Sequence, residues 1–262
     1  MTKKDFYTKE VFKLFDEVGY TFGCNFTIDD VSVLNGLIID HYPEYEVHTG
    51  ASKCVIVPND KSYVIKIPFT GEGADEIYEN DMDFYDYCQE FGIDYSECPY
   101  DKWVFENASN SQNNWDYCLR EAELYQAAEA EGLEKYFAKT EYIGDYFNHP
   151  LYIQEKCICI YDSDSYEKKR KKYNKKYNEF TRRYIIDTFY EEAFDWNATR
   201  DWFICLFNYL KDKKGLTKTY RELEKLADFL NEEYIDDLHS GNVGLIAKND
   251  MPVFIDYSGF DS

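Results

Sequence analysis

The sequence predicts an α+β protein, on three observations. Apolar residues recur at helical spacing near the N-terminus and again over residues 165–235. Segments rich in β-branched and aromatic residues are grouped toward the N-terminal half and do not alternate regularly with helices. Two short apolar segments around Lys248-Asn249-Asp250 close the chain as a small hairpin.

Each element follows from its own pattern. Residues 5–18 carry Phe6, Val11, Phe12, Leu14, Phe15 and Val18 on an approximate helical stripe. Thr27 followed by Asp30 is an N-terminal capping pattern, and Val31, Leu34, Leu37 and Ile38 extend it as a helix over 27–40. Residues 45–57 and 62–68 read as a hairpin that turns at Pro58-Asn59-Asp60 and stops at Pro68. Residues 70–113 hold Gly71, Gly73, Gly92, Pro99, many acids and a polar run. They read as an insertion with a short helix near 76–91. Leu119, Ala122, Leu124, Tyr125, Ala127 and Ala128 predict a helix over 115–131, ended by Gly132. Strands follow at about 136–143 and 150–160, separated by Gly144 and Pro150. Helices near 199–211 and 219–233 and strands near 243–247 and 252–255 complete the chain. Lys168 to Lys176, with seven basic residues in nine, reads as a solvated helix face.

Composition narrows the function classes. At 262 residues the chain buries a core without needing disulfides or metals. Aromatics reach 19%, with 26 Tyr and 19 Phe, which predicts many rings at the core edge with their hydroxyls on polar partners. The net charge of -22 opposes nonspecific binding to nucleic acid or anionic membranes, so neither is an expected partner. The same charge admits an acidic inhibitor that imitates DNA and binds a protein partner. The eight cysteines form no C-x-x-C pair, and Cys157 and Cys159 share one strand face. Reduced structural thiols and a cytoplasmic location are expected. The N-terminal segment lacks the apolar core of a signal peptide, and no run is long enough to span a membrane.

The residues that carry chemistry lie near the C-terminus. Asp237-Leu-His-Ser-Gly-Asn242 follows a helix, and Asp256 ends an apolar strand fourteen residues after Asn242. A hairpin that joins these acids and the amide makes a cradle for a hard cation such as Mg2+, which prefers carboxylate and amide oxygens plus substrate phosphates. His239 reads as a structural loop residue.

This D-x-x-x-x-N loop and its downstream Asp-Tyr-Ser-Gly resemble the catalytic and metal motifs of the protein-kinase and aminoglycoside-phosphotransferase superfamily. Further segments match it in order. Tyr63-Val-Ile-Lys66 fits the V-A-I-K strand. Thr49-Gly50-Ala51-Ser52-Lys53 stands where the phosphate loop falls, with one glycine. Arg120-Glu121-Ala-Glu123 supplies the helix glutamate. Leu151-Tyr-Ile-Gln154-Glu155 matches the hinge strand.

The resemblance implies a kinase-like two-lobed fold with a small antiparallel-sheet N-lobe and a minimal helical C-lobe. It divides the chain into an N-terminal helical extension (1–44), an N-lobe (45–156) with the insertion at about 70–113, and a C-lobe (157–262). It also implies ATP and Mg2+ as cofactors, a nucleotide partner and an unknown acceptor, small molecule or protein. Asp237 is the implied catalytic base. Lys66 neutralises phosphate charge and Glu121 holds Lys66, with Glu123 as the alternative. Gly50, Ser52, Lys53, Lys66, Gln154 and Glu155 bind nucleotide, and Asn242 and Asp256 bind the metal. Six residues follow Asp256 in this sequence, so the helices that bind a peptide in this family are not expected here. The single-glycine loop and short second lobe also admit a catalytically weak pseudokinase.

Overall fold

Helix α1 (Lys3–Val18) begins where Thr2 and Asp5 cap each other. The Asp5 amide donates to Thr2 Oγ1 at 3.1 Å, and the Thr2 amide donates to the Asp5 carboxylate at 2.7 Å. Gly19 ends it in the left-handed conformation, at φ +70°. Helix α2 (Ile28–His41) starts at the expected Thr27, whose amide donates to Asp30 at 2.8 Å. The computed structural model describes residues 2–23, 26–50, 52–70, 117–159, 198–235, 240–246 and 251–258. The expected insertion from Gly71 onward, the Lys168–Lys176 run, Asp237 and His239 lie outside them.

The described residues form a mixed α+β fold. Five antiparallel strands, β1 (Glu46–Thr49), β2 (Lys53–Val57), β3 (Tyr63–Pro68), β4 (Thr140–Tyr146) and β5 (His149–Glu155), make one sheet in the order β1-β2-β3-β5-β4. A smaller sheet joins β6 (Cys157–Cys159), β7 (Val243–Ile246) and β8 (Met251–Phe254) in antiparallel order. The helices that follow the large sheet's first three strands are α3 (Tyr117–Glu131), α4 (Ala198–Lys214) and α5 (Leu216–Glu232). No helix among the described residues is long and apolar enough to cross a membrane.

Three boundaries differ from the sequence expectation, each for a local reason. The single strand expected over 45–57 breaks into β1 and β2, because the Gly50 amide donates to the Lys53 carbonyl at 2.9 Å and closes a turn. The β4–β5 hairpin turns at Phe147-Asn148, not at Gly144 and Pro150, which lie inside the strands. Both turn residues have positive φ, 49° and 62°, the conformation a tight two-residue hairpin loop needs. Strand β4 starts at Thr140 and not at 136, because a 3-10 turn occupies Glu134–Tyr136.

The chain divides into two compact units: Met1–Arg120 with Glu141–Gln154, and Glu121–Thr140 with Glu155–Ser262. In the first, Val11, Leu14, Phe15 and Val18 of α1 and Leu34 and Ile38 of α2 share one core with Cys54, Ile56, Ile65, Ile67, Leu151 and Ile153 of the sheet. Aromatic rings fill it. Phe22 stacks on His149 at 4.4 Å and meets Phe26 edge-on at 5.2 Å. Tyr146 keeps its hydroxyl on Asp16 at 2.7 Å, the edge placement the tyrosine content predicts. Burial pushes the Cys54 thiol up to about 12, which leaves it an inert core residue.

His149 makes this core sensitive to acid. Its ring is buried and its Nε2 lies 3.0 Å from the Pro68 carbonyl. Burial lowers its pKa below the ordinary 6.5, against the opposing pull of that carbonyl and Asp145. The unfolded chain therefore takes up a proton at a higher pH than the folded protein does. Stability is full above about pH 6.5 and falls as pH drops through that value, by at most about 1.4 kcal/mol per pH unit. Urea unfolding between pH 7 and 5 checks this: the midpoint should fall in the native chain and stay flatter in His149→Gln.

In the second unit, Leu124 and Ala128 of α3, Phe203, Phe207 and Leu210 of α4, Leu223, Leu226 and Leu230 of α5, and Val253 and Phe254 of β8 form the core. Glu222 of α5 is tied to Lys135 and, at 2.7 Å, to Lys214. Burial opposes its ionisation, but the two lysines prevail and hold its carboxyl at about 2. Gly244 of β7 pairs with Cys159 of β6. A Cβ there would lie 3.0 Å from the Ile158 carbonyl oxygen and 3.2 Å from Ile255 Cγ2. Gly244→Ala is expected to cost about 1–3 kcal/mol, read as a lower urea midpoint at unchanged slope.

Candidate functional site

The sequence-predicted residues fall into two groups, one in each unit. In the first unit they ride on the β1–β3 meander and β5. Lys66 lies on β3 directly opposite Val55, and Lys53 lies opposite Pro68. Side chains alternate along a strand, and Cys54, Ile56, Ile65, Ile67, Leu151 and Ile153 face the α1–α2 core. Lys53, Lys66, Tyr152 and Gln154 therefore occupy the opposite face. Both lysines and Gln154 are buried, at 3%, 4% and 3% exposure. Lys53 and Lys66 thus place two cationic side chains on one face of the sheet, with Gln154 on the adjoining strand β5. Gly50 is exposed. Ser52 is half-buried, and its carbonyl accepts from the Phe69 amide at 2.9 Å. The groove of this unit lined by Glu10, Leu14, Tyr42, Asp60, Lys61 and Tyr63 contains none of the expected residues.

The second unit holds Glu121, Glu155, Asn242 and Asp256. Pairing of β7 with β8 places Val243 opposite Phe254, so Asn242 and the Ile255–Asp256 segment meet at the end of that hairpin. The Asn242 carbonyl accepts from the Ile255 amide at 2.9 Å and from the Asp256 amide at 3.4 Å. A 3-10 turn, Ser240–Asn242, delivers Asn242 to this position, where it is buried. Asp256 is half-buried, with the Ser258 hydroxyl 3.4 Å from Oδ1. The structure thus brings together two of the residues expected around a cation. Among the described residues no group of three or more His, Cys, Asp or Glu side chains has the arrangement of a metal site.

Burial separates the two candidate glutamates. Glu121 is fully buried on α3 while Glu123 is exposed. Thr140 Oγ1 lies 3.3 Å from Glu121 Oε2 and 3.0 Å from the Tyr257 hydroxyl, which also lies 2.8 Å from the Ala138 carbonyl. Tyr257 is one residue beyond Asp256 and is completely buried, with its ring edge-on to Phe137 at 5.1 Å. Burial pushes the Tyr257 hydroxyl well above its ordinary value, and the carboxylates of Glu121 and Asp256 act in the same direction. It remains protonated and acts as a donor.

Sequence reasoning assigned no role to Thr140 or Tyr257. The signal for Tyr257 was its place beside Asp256 in Asp-Tyr-Ser-Gly. Thr140 carried none, since a threonine at the start of a strand is ordinary. Glu155 is exposed, and its amide donates to the Lys139 carbonyl at 2.9 Å.

No family model matches the chain, and neither the curated proteins nor the solved structures give a match.

Proposed function

We propose that this chain is a kinase-like phosphotransferase that uses ATP and magnesium, with an acceptor still to be identified. The observation that carries the reading is the hairpin end at which the Asn242 carbonyl bonds the Ile255 and Asp256 amides. It brings the backbones of Asn242 and Asp256 together, the two residues to which the resemblance gives the metal. The donor set fits a hard cation, which needs only one or two protein oxygens when substrate phosphates and water supply the rest. Asn242 and Asp256 would hold the ion, whose chemistry is to neutralise charge on phosphate oxygens.

The remaining roles go to this chain's own groups. Lys66, buried on β3, takes phosphate charge, and the resemblance gives Glu121 the role of its counter-charge. The resemblance gives the base to the backbone of Gln154 and Glu155 at the end of β5, where the Glu155 amide already donates to the Lys139 carbonyl. Asp237 orients the acceptor hydroxyl and takes its proton. Phosphoryl transfer demands mainly positioning and charge stabilisation, so this short set of groups is sufficient. The two-lobed kinase-like fold is part of the same proposal.

One observation favours a second reading, a pseudokinase that binds nucleotide weakly or turns it over poorly. The phosphate loop has a single glycine, and the Gly50 amide is already bonded to the Lys53 carbonyl, so it does not point free toward a ligand. The discriminating experiment incubates the intact chain with magnesium and γ-labelled ATP. The enzyme reading predicts label in inorganic phosphate or on an added acceptor, lost in Asp237→Asn and Lys66→Met. Nucleotide binding without label movement selects the pseudokinase. Absence of nucleotide binding overturns both.

A further inference from the structure

Four tyrosine hydroxyls of the first unit are tied to carboxylates: Tyr42 donates to Glu17, Tyr45 to Asp60, Tyr63 to Glu10 and Tyr146 to Asp16. Tyr234 of the second unit differs. Among the described tyrosines it alone is exposed, at 73%, and no described residue bonds its hydroxyl. It stands just past α5 in the left-handed conformation, at φ 54°. That conformation closes the helix. The Tyr234 amide donates to the Asn231 carbonyl at 3.2 Å, the Ile235 amide donates to the Leu230 carbonyl at 2.8 Å, and Ile235 is buried. Glycine is the usual occupant of such a position, because a Cβ there is strained. The chain therefore keeps a phenol at the helix end against local preference, with its hydroxyl open to solvent. Four acids surround it in sequence: Glu232 and Glu233 precede it, and Asp236 and Asp237 follow it by two and three residues.

We propose that Tyr234 is a phosphate-accepting site for a tyrosine kinase whose substrate cleft is basic, and that its modification loosens the closed end of α5. The inference does not depend on the phosphotransfer reading. The phenol oxygen forms a bond to the γ-phosphorus of ATP, the bond from that phosphorus to the β-phosphate oxygen breaks, ADP leaves, and the phenol proton passes to the base of that kinase. Exposure makes the oxygen accessible, and the flanking acids complement basic groups in the cleft. A second copy of this chain is a poor donor, since both copies carry a net charge of -22. The consequence follows from charge. A phosphate adds about -1.5 to -2 at neutral pH, at the helix end whose dipole is already negative and beside Glu232 and Glu233. Repulsion there acts on the two amide bonds that close α5 and on the burial of Ile235.

The test incubates the intact folded chain with magnesium-ATP and a purified tyrosine kinase of acid-directed specificity, and maps phosphate by mass spectrometry. Tyr234 is expected to be modified to about one phosphate per chain. Replacing both Glu232 and Glu233 with Gln should slow modification at Tyr234 by about tenfold, the size of two exposed ion pairs. A melting curve confirms that this variant is folded, and Glu232→Gln alone carries the comparison if it is not. Tyr234 left unmodified, or modified at the native rate in the glutamine variants, overturns the proposal. The chain with magnesium-ATP and no added kinase should carry no phosphate at Tyr234; phosphate there makes a second copy the donor and overturns the assignment to a separate kinase. Hydrogen exchange then reads the consequence. The Ile235 amide should exchange about two- to fivefold faster in the modified chain, with the difference shrinking in high salt, and Tyr234→Phe taken through the same incubation should keep the native rate. An Ile235 amide that exchanges at the native rate after modification overturns the loosening of α5.

Discussion

If the chain transfers phosphate as proposed, Asp256→Asn is expected to reduce that magnesium-dependent transfer by about a hundredfold or more while leaving the fold intact. The substitution keeps the shape of the side chain and an oxygen for the Ser258 hydroxyl, 3.4 Å away in the native chain. It removes the one charge that Asn242 cannot replace. The backbone bonds from the Ile255 and Asp256 amides to the Asn242 carbonyl do not involve the side chain, so the hairpin end should persist. Unfolding free energy should change by no more than about 0.5 kcal/mol, as for a partly exposed polar exchange. Transfer kinetics with titrated magnesium, beside urea unfolding of the same protein, separate the two effects. Equal transfer rates in the native and variant chains would remove Asp256 from the site.

Phe137→Ala should have the largest effect on stability, about 3–5 kcal/mol, the range for truncating a buried phenylalanine. Phe137 is 1% exposed, and its ring meets Phe254, Phe229 and Tyr257 at centroid distances of 5.3, 5.6 and 5.1 Å. It therefore joins the 3-10 turn region to β8, α5 and the residue after Asp256 in a single contact set. The next residue, Ala138, donates its amide to the Phe254 carbonyl at 2.8 Å and accepts from Tyr257. A cavity at 137 would loosen the backbone on which the Tyr257–Thr140–Glu121 arrangement rests. Against a typical total of about 5–15 kcal/mol, such a loss leaves the second unit marginal. Urea unfolding gives the magnitude, and faster exchange of the Ala138 amide gives the location. A cost under about 1 kcal/mol would mean that these rings do not carry the packing assigned to them.

What the sequence made legible was local. Thr27 and Asp30 announce the start of α2, because a capping pair acts within one turn. The apolar stripes of α1, α3 and α5 are visible because burial on one face imposes a period. Asn242 and Asp256 could be paired in advance because one hairpin, β7 with β8, separates them. Features that depend on partners distant in sequence were not legible. Nothing in Phe147-Asn148 marks the left-handed turn that sets the β4–β5 register, since neither residue is the usual glycine. The break at Gly50 depends on a bond closed three residues later. Glu121 was favoured over Glu123 in the sequence, but the burial that sets the two apart on α3 is not written in the letters. Thr140 and Tyr257 are 117 residues apart, and their hydroxyls meet only through tertiary packing.

The most direct test is calorimetric titration of the intact chain with ATP, in magnesium and in its absence. The account predicts binding at one site that requires magnesium, is weakened by Lys66→Met and loses its magnesium dependence in Asp256→Asn. No binding in magnesium, or binding that Asp256→Asn leaves unchanged, would contradict it.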